Sequence, residues 1–365
     1  MDFKTLFRPG ILATRAYVPG KPVEEVQREL GLSDVVKLAS NENPDEPLPE
    51  VLAAIRAAAS DVNRYPDGSA YRLTRRLAEH LGVEPGGILL GNGSNEVIDM
   101  LIRALVSPGE NVVYSEHSFV VYPITCGVHY DCGRPVPLAD DRLDLAAMGR
   151  AVDERTKLVI VCNPNNPTGT YSTRAEFESL LAAVPRQVIV AVDEAYYEYV
   201  VADDYPQTIP MLAEHPNLVV LRSFSKIHSL AGLRVGYGVG HPGLIAEVQK
   251  TREPFNVNSL AQAAALACLE RWDAVPERCR RNRERLDRLA ERLAELGLEV
   301  VPSQTNFLLV RCEGSATAVT RELLRRGVIV RPMDSFGLGD GAMRISVGTE
   351  PENQRCVEAL GEILA

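Results

Sequence analysis

The sequence predicts an α/β protein: a mostly parallel central sheet sandwiched by helices, followed by a smaller α+β domain. Three observations predict it. Short β-branched runs, in ILLGNG (88–93), NVVYS (111–115), KLVIVC (157–162), QVIVAVDEA (187–195) and LVVLRSFS (218–225), are apolar throughout rather than alternating. That is the pattern of strands covered on both faces of a parallel sheet. Helical stripes fall between these runs, as βαβ units require. Beyond about residue 250 the texture changes to a long charged helix and a few short strands.

Taken in order, Val51, Leu52, Ile55 and Ala59 recur at helical spacing, and so do Leu73, Leu77 and Leu81. The apolar run at 88 ends in a glycine turn, and Val97, Ile98, Leu101, Ile102 and Leu105 begin the next helix. Strands at 111 and 157, a helix near 172–184, strands at 187 and 218 and a helix near 242–251 complete the large unit. The charged helix over about 274–296 buries Leu286, Leu289 and Leu293. Strands at 306–311, 327–331 and 342–347 follow, with helices near 315–326 and 351–363. The expected division is an N-terminal arm and part of the small domain (1–44), a large α/β domain (45–250), and a linking helix with a small C-terminal α+β domain (251–365).

The 365 residues suffice for one large or two packed domains. Thirty-nine basic against 49 acidic residues leave a net charge of −10, which argues against nucleic acid or an anionic membrane as partner. A few inward-facing arginines can still make a local anion site. No run of about 18 apolar residues is present, so no transmembrane helix is expected. The first residues lack the apolar core of a signal peptide, and a cytoplasmic location is expected. Seven cysteines without a CxxC read as reduced thiols. Six histidines without HxH or HExxH spacing point to no metal site.

In open parallel sheets ligands bind beyond the carboxyl ends of the strands. Gly91-Asn92-Gly93-Ser94-Asn95 opens a helix, whose free N–H groups favour an anion. Asn163-Pro164-Asn165-Asn166-Pro167-Thr168-Gly169 is a rigid amide loop. Asp193 ends a buried strand, where a carboxylate is costly without a cation or proton donor. Ser223-Phe224-Ser225-Lys226 places a lysine between hydroxyls, with Arg234 eight residues on. Each feature alone is a tight turn, an internal ion pair or a surface charge. Jointly they suit a phosphorylated aldehyde with a protonated ring nitrogen, which is pyridoxal 5′-phosphate.

With AYVPGKP (16–22), KLASNENP (37–44), RYPDGSAYRL (64–73), LGNGSNEVI (90–98), NPNNPTG (163–169), VDEAYYEY (192–199), SFSKIHSLAGLRVGYGVG (223–240), PSQTNFLLVR (302–311) and RGVIVRP…MRISVGTEPEN (326–353), the chain resembles the fold-type I pyridoxal-phosphate aminotransferases over nearly its whole length. More narrowly it resembles the histidinol-phosphate aminotransferase family. The resemblance implies that Lys226 forms the Schiff base and shuttles the proton, and that Asp193 pairs with the pyridinium nitrogen. Asn166 and Tyr196 face the phenolic oxygen. Ser94, Asn95, Ser223, Ser225 and Arg234 hold the phosphate, and Phe119 stacks on the ring. Tyr65 reaches the phosphate of a neighbouring subunit, which implies a homodimer. Tyr17, Asn41, Arg331 and Arg344 belong to the substrate side.

The implied reaction moves an amino group between glutamate and imidazole-acetol phosphate, a step of histidine biosynthesis acting on small molecules. An aromatic amino acid aminotransferase and a decarboxylase of a phosphorylated amino acid stay open as alternatives. Two departures bear on substrate. Asp45 and Glu46 follow NENP where relatives carry small residues, placing acids near the expected pocket entrance. His228 stands where relatives carry an aromatic residue after the lysine, either touching substrate or filling space.

Overall fold

In the computed structural model, which describes residues 1–365, the apolar runs become strands in the expected places. In chain order the strands are β1 (Val36–Lys37), β2 (Ile88–Gly91), β3 (Asn111–Ser115), β4 (Gly133–Val136), a small hairpin of β5 (Leu138–Ala139) and β6 (Arg142–Leu143), β7 (Thr156–Cys162), β8 (Ile189–Asp193), β9 (Leu218–Ser223), β10 (Gly236–Gly240), β11 (Glu299–Val300), β12 (Phe307–Arg311), β13 (Val328–Ile329), β14 (Arg331–Pro332) and β15 (Ala342–Ser346). Seven form the central sheet in the order β2-β10-β9-β8-β7-β3-β4. The pairs β4–β3, β3–β7, β7–β8 and β8–β9 are parallel, and β10 runs antiparallel to both β9 and β2. Six carboxyl ends therefore open on one side.

Successive residues of each central strand point to opposite faces, and both faces are apolar. Val159, Val161, Val190, Val192 and Val220 meet Phe177 and Leu180, with Leu73, Leu77, Ala261 and Ala264 in the same core. Leu158, Ile160, Ala191, Val219 and Leu221 belong to a second core with Val97, Leu101, Ile245 and Val248. This two-sided burial is why the runs are continuous rather than alternating.

Periodicity did not reveal β10, because GYGVG is too glycine-rich to read as a strand. Its glycines are there for closeness. A Cβ on Gly236 would lie 2.5 Å from the Ser94 amide nitrogen, so the strand can reach the start of helix Ser94–Leu105 only without a side chain. Helices Val121–Val128 and Ser259–Glu270 add two elements beyond those the periodicity predicts.

The smaller unit is an antiparallel sheet, β11-β12-β15-β14, covered by Leu286, Leu289 and Leu293 of helix Val275–Glu295 and by Cys356 and Leu360. The run at 327–331 is not one strand. It pairs through Val328 and Ile329 with β1, then changes partner so that Arg331 pairs with Arg344 of β15. Val36 and Leu38 share this unit's core, whereas the turn of helix Pro9–Ala13 lies against the large unit, where Arg8 Nη2 donates to the Val128 carbonyl at 3.0 Å. No helix is long and apolar enough to cross a membrane.

Candidate active site

At the end of β2 the chain turns through Gly93 with φ 76° into the helix that starts at Ser94. Glycine is required there because φ 76° with ψ 170° is a backbone conformation that side chains strain, and a Cβ would also push on the Arg234 guanidinium. Arg234 Nη1 donates to Ser225 Oγ at 3.3 Å and to the Ala231 carbonyl at 3.2 Å. Ser223 Oγ accepts from the Ser225 amide at 3.0 Å. A helix N-terminus, two serines and an arginine thus converge into a cradle suited to an oxyanion.

Asp193, at the end of β8, is almost wholly buried. Tyr122 donates its hydroxyl to Asp193 Oδ2 at 2.8 Å, and Oδ1 has no partner. Burial pushes the carboxyl up to about 6, against the pull of the Tyr122 hydroxyl. Lys226 opens onto the cavity, and its Nζ donates to the Asn41 carbonyl at 3.2 Å. The surrounding protein, and after it the Arg344 charge, press its ammonium down to about 8. Asn41 Nδ2 donates to the Tyr196 hydroxyl at 2.9 Å, and burial raises that phenol.

Arg344 is buried on β15 without a carboxylate partner. Its Nη1 donates to Asn166 Oδ1 at 2.5 Å, Nη2 donates to the Ala39 carbonyl at 2.9 Å, and Nε is unpaired. Burial lowers it to about 10. A guanidinium taken out of water with so few bonds is a place for an anion.

Of the residues singled out in the sequence, Tyr17, Asn41, Ser94, Asn95, Phe119, Asn166, Asp193, Tyr196, Ser223, Ser225, Lys226, Arg234 and Arg344 line one cavity of about 240 Å³. Arg331 and Tyr65 do not. Arg331 lines an adjoining cavity of about 610 Å³, which shares Tyr17, Val120 and Phe336 with the first. Its guanidinium lies 6.0 Å from the Tyr17 ring centre and 5.2 Å from that of Phe336. Tyr65 is 82% exposed and stacks on Phe255 at 4.7 Å.

Glu42, next to Asn41 in the NENP turn expected at the pocket entrance, lines the cavity as well, and so do Ser40, Cys162 and Phe336, which the sequence did not single out. Tyr122 was missed as well. Its spacing of three from Phe119 is the one helical signal in a short segment, which folds as helix Val121–Val128. Asp45 does not face the cavity or float in solvent: it pairs with Arg281 at 3.1 Å and Arg285 at 2.9 Å on the long charged helix. His228 fills space outside the cavity, 5.0 Å from Phe224 and 5.2 Å from Trp272, and burial lowers its imidazole to about 3.

Residues 33–360 match the aminotransferase class I and II family. The chain belongs to the class I and II aminotransferases. A relative named histidinol-phosphate aminotransferase 2, from Pseudomonas fluorescens, is 46% identical over 100% of this chain and 99% of its own. A crystal structure of histidinol-phosphate aminotransferase from Sinorhizobium meliloti, in complex with pyridoxal 5′-phosphate, superposes with a TM-score of 0.88 at 31% identity, covering 98% of this chain and 97% of that one. L-threonine-O-3-phosphate decarboxylase from Porphyromonas gingivalis superposes with a TM-score of 0.79 at 25% identity, covering 90% of this chain and 99% of that one. This aminotransferase thus shares its fold with enzymes named for phosphorylated substrates.

Proposed function

We propose that this aminotransferase uses pyridoxal 5′-phosphate to move an amino group between glutamate and imidazole-acetol phosphate, forming histidinol phosphate. The observation that carries the cofactor is the unpaired Asp193 Oδ1 lining the same cavity as the Ser94–Ser225–Arg234 cradle and Lys226. A buried acceptor without a donor fits a protonated ring nitrogen, and the cradle fits a phosphate. When bound, the cofactor supplies the electron sink that acidifies the substrate Cα–H and carries the amino group between half-reactions.

The chain's own residues do the rest. Asp193 would hold the ring nitrogen in its protonated form. Ser94, Asn95, Ser223, Ser225 and Arg234 would anchor the phosphate, and Phe119 would cover the ring. Asn166 and Tyr196 would hydrogen-bond the phenolic oxygen. Lys226, its ammonium lowered to about 8, keeps a minor share of neutral amine near pH 7; it would hold the cofactor aldehyde and, once displaced from it by substrate, would take the proton from the substrate Cα. Arg344 holds the carboxylate of glutamate, or the phosphate of a substrate that has no carboxylate. Tyr17, shared by both cavities, and Arg331 beside it add to the second role. Asn41 orients Tyr196 and Lys226.

The working unit in this reading is a cytoplasmic homodimer, in which Tyr65 of the partner subunit completes the phosphate site. Exposed Tyr65 and Phe255 support a partner, and seven free cysteines suit a reducing compartment. The deciding experiment is a panel of donors. We expect histidinol phosphate to exceed phenylalanine in kcat/KM with 2-oxoglutarate as acceptor. The reverse order would make this an aromatic amino acid aminotransferase.

A further inference from the structure

Tyr122 lines neither cavity, yet it touches two residues that do. It is fully buried on helix Val121–Val128. Its hydroxyl lies 2.8 Å from Asp193 Oδ2, and its ring meets Phe119 edge-on, with centroids 5.8 Å apart and planes at 88°. We propose that Tyr122 is a positioning residue that sets two walls of the cofactor slot at once: the hydroxyl decides which Asp193 oxygen is left for the ring nitrogen, and the ring holds Phe119 against the cavity. This rests on the pyridoxal-phosphate reading above.

The chemistry of the pair fixes the direction of the bond. An ionised carboxylate only accepts, so the phenol donates and favours the charged form of Asp193. Tyr122 thereby occupies one oxygen, the Ala195 backbone N–H adds to the pull on the carboxylate, and Oδ1 keeps no partner, which leaves it for a single cationic N–H. The groups whose charge or dipole acts on Asp193 are Tyr122, Cys162 of β7, Tyr196 and Lys226, and neighbouring Glu194 from the other face of the strand end. Lys226 favours the carboxylate and Glu194 opposes it, but only Tyr122 gives it a side-chain hydrogen bond. Burial holds the Tyr122 phenol far above its ordinary titration range, so it stays a donor at every working pH. The edge-on contact is a favoured aromatic geometry and keeps the Phe119 face free to cover a ring.

Two substitutions separate the two effects. Tyr122→Phe keeps the ring contact and removes the donor. Tyr122→Leu removes both. With protein reconstituted with pyridoxal 5′-phosphate, we expect Tyr122→Phe to release the cofactor about tenfold to a hundredfold faster, as loss of a charge-assisted bond implies. The acid limb of the bound cofactor's absorbance should move to higher pH, because Asp193 without its donor protonates more readily. Tyr122→Leu should release cofactor faster still. Difluorotyrosine at 122, a stronger donor of the same shape, should move the acid limb to lower pH, and this test does not depend on the Phe variant folding. Unchanged release and an unchanged acid limb in Tyr122→Phe would overturn the proposal. So would a lowered thermal midpoint of the apoprotein with neither change, since a purely structural residue behaves that way. Wild-type protein that takes up no cofactor and fixes none on Lys226 with borohydride would instead overturn the underlying reading.

Discussion

Lys226 and Arg344 share one cavity, and the second charge helps set the state of the first. Burial, then Arg344, lowers the Lys226 ammonium to about 8, so the neutral amine grows as pH rises through that value. Capture of pyridoxal 5′-phosphate by apoprotein should therefore accelerate between about pH 7 and 9 and then level off. Removing Arg344 removes a like charge, so Arg344→Ala should move this midpoint upward, as stopped-flow absorbance would show. Lys226→Ala should lose both borohydride fixation and transamination; wild-type turnover in that variant would refute the assigned role. Arg344→Ala should also weaken both half-reactions. A charge-assisted bond contributes roughly 1.5–3 kcal/mol, so kcat/KM should fall about tenfold to a hundredfold. Arg331→Ala should hurt histidinol phosphate at least as much as glutamate, because it stands beside Tyr17 rather than in the smaller cavity.

At the scale of elements, the strand ends of β8 and β9 do two jobs on opposite faces. Asp193 and Ser223 face the cavity, while their neighbours Glu194 and Arg222 form a buried ion pair at 2.9 Å. Thr208 Oγ1 donates to Glu194 Oε1 at 2.7 Å, and the Arg222 guanidinium lies 3.5 Å from the Tyr197 ring centre. The pair spans the parallel β8–β9 contact just behind the cavity. Breaking one partner strands the other charge away from water. Arg222→Met should therefore cost about 3–5 kcal/mol in urea unfolding, whereas replacing both partners with apolar residues should cost much less. If the single and double variants were equally unstable, the charges would not be the cause.

For the whole molecule, the question is what covers Tyr65 and Phe255. A stacked aromatic pair in which Tyr65 is 82% exposed is unusual on a lone subunit and ordinary at an interface. Sedimentation should give twice the 40.0 kDa chain mass at assay concentrations, and a fully active monomer would refute the assembly. Tyr65→Phe should leave that mass unchanged and speed cofactor loss by a few-fold to about tenfold, the size of one hydrogen bond.

The sequence alone determined the sandwich and the places where its strands end. Strands buried on both faces must be apolar at every position, and the polar residues that directly follow them stand out by contrast, as Asp193 does after VIVAV and Ser94 after the glycine turn. Tertiary structure decided what depends on partners far away in the chain. It made GYGVG a strand between β2 and β9, because Gly236 and Gly238 leave room on one face for the start of helix Ser94–Leu105. It split the 327–331 run between β1 and β15, which puts Arg331 in register with Arg344. It turned Asp45 away from the cavity, because Arg281 and Arg285 lie more than 230 residues on and face it only when the long helix folds back. It seated Tyr122 against Asp193, 71 residues apart. Periodicity records which side of an element is buried; it carries no record of which charge or hydroxyl waits there.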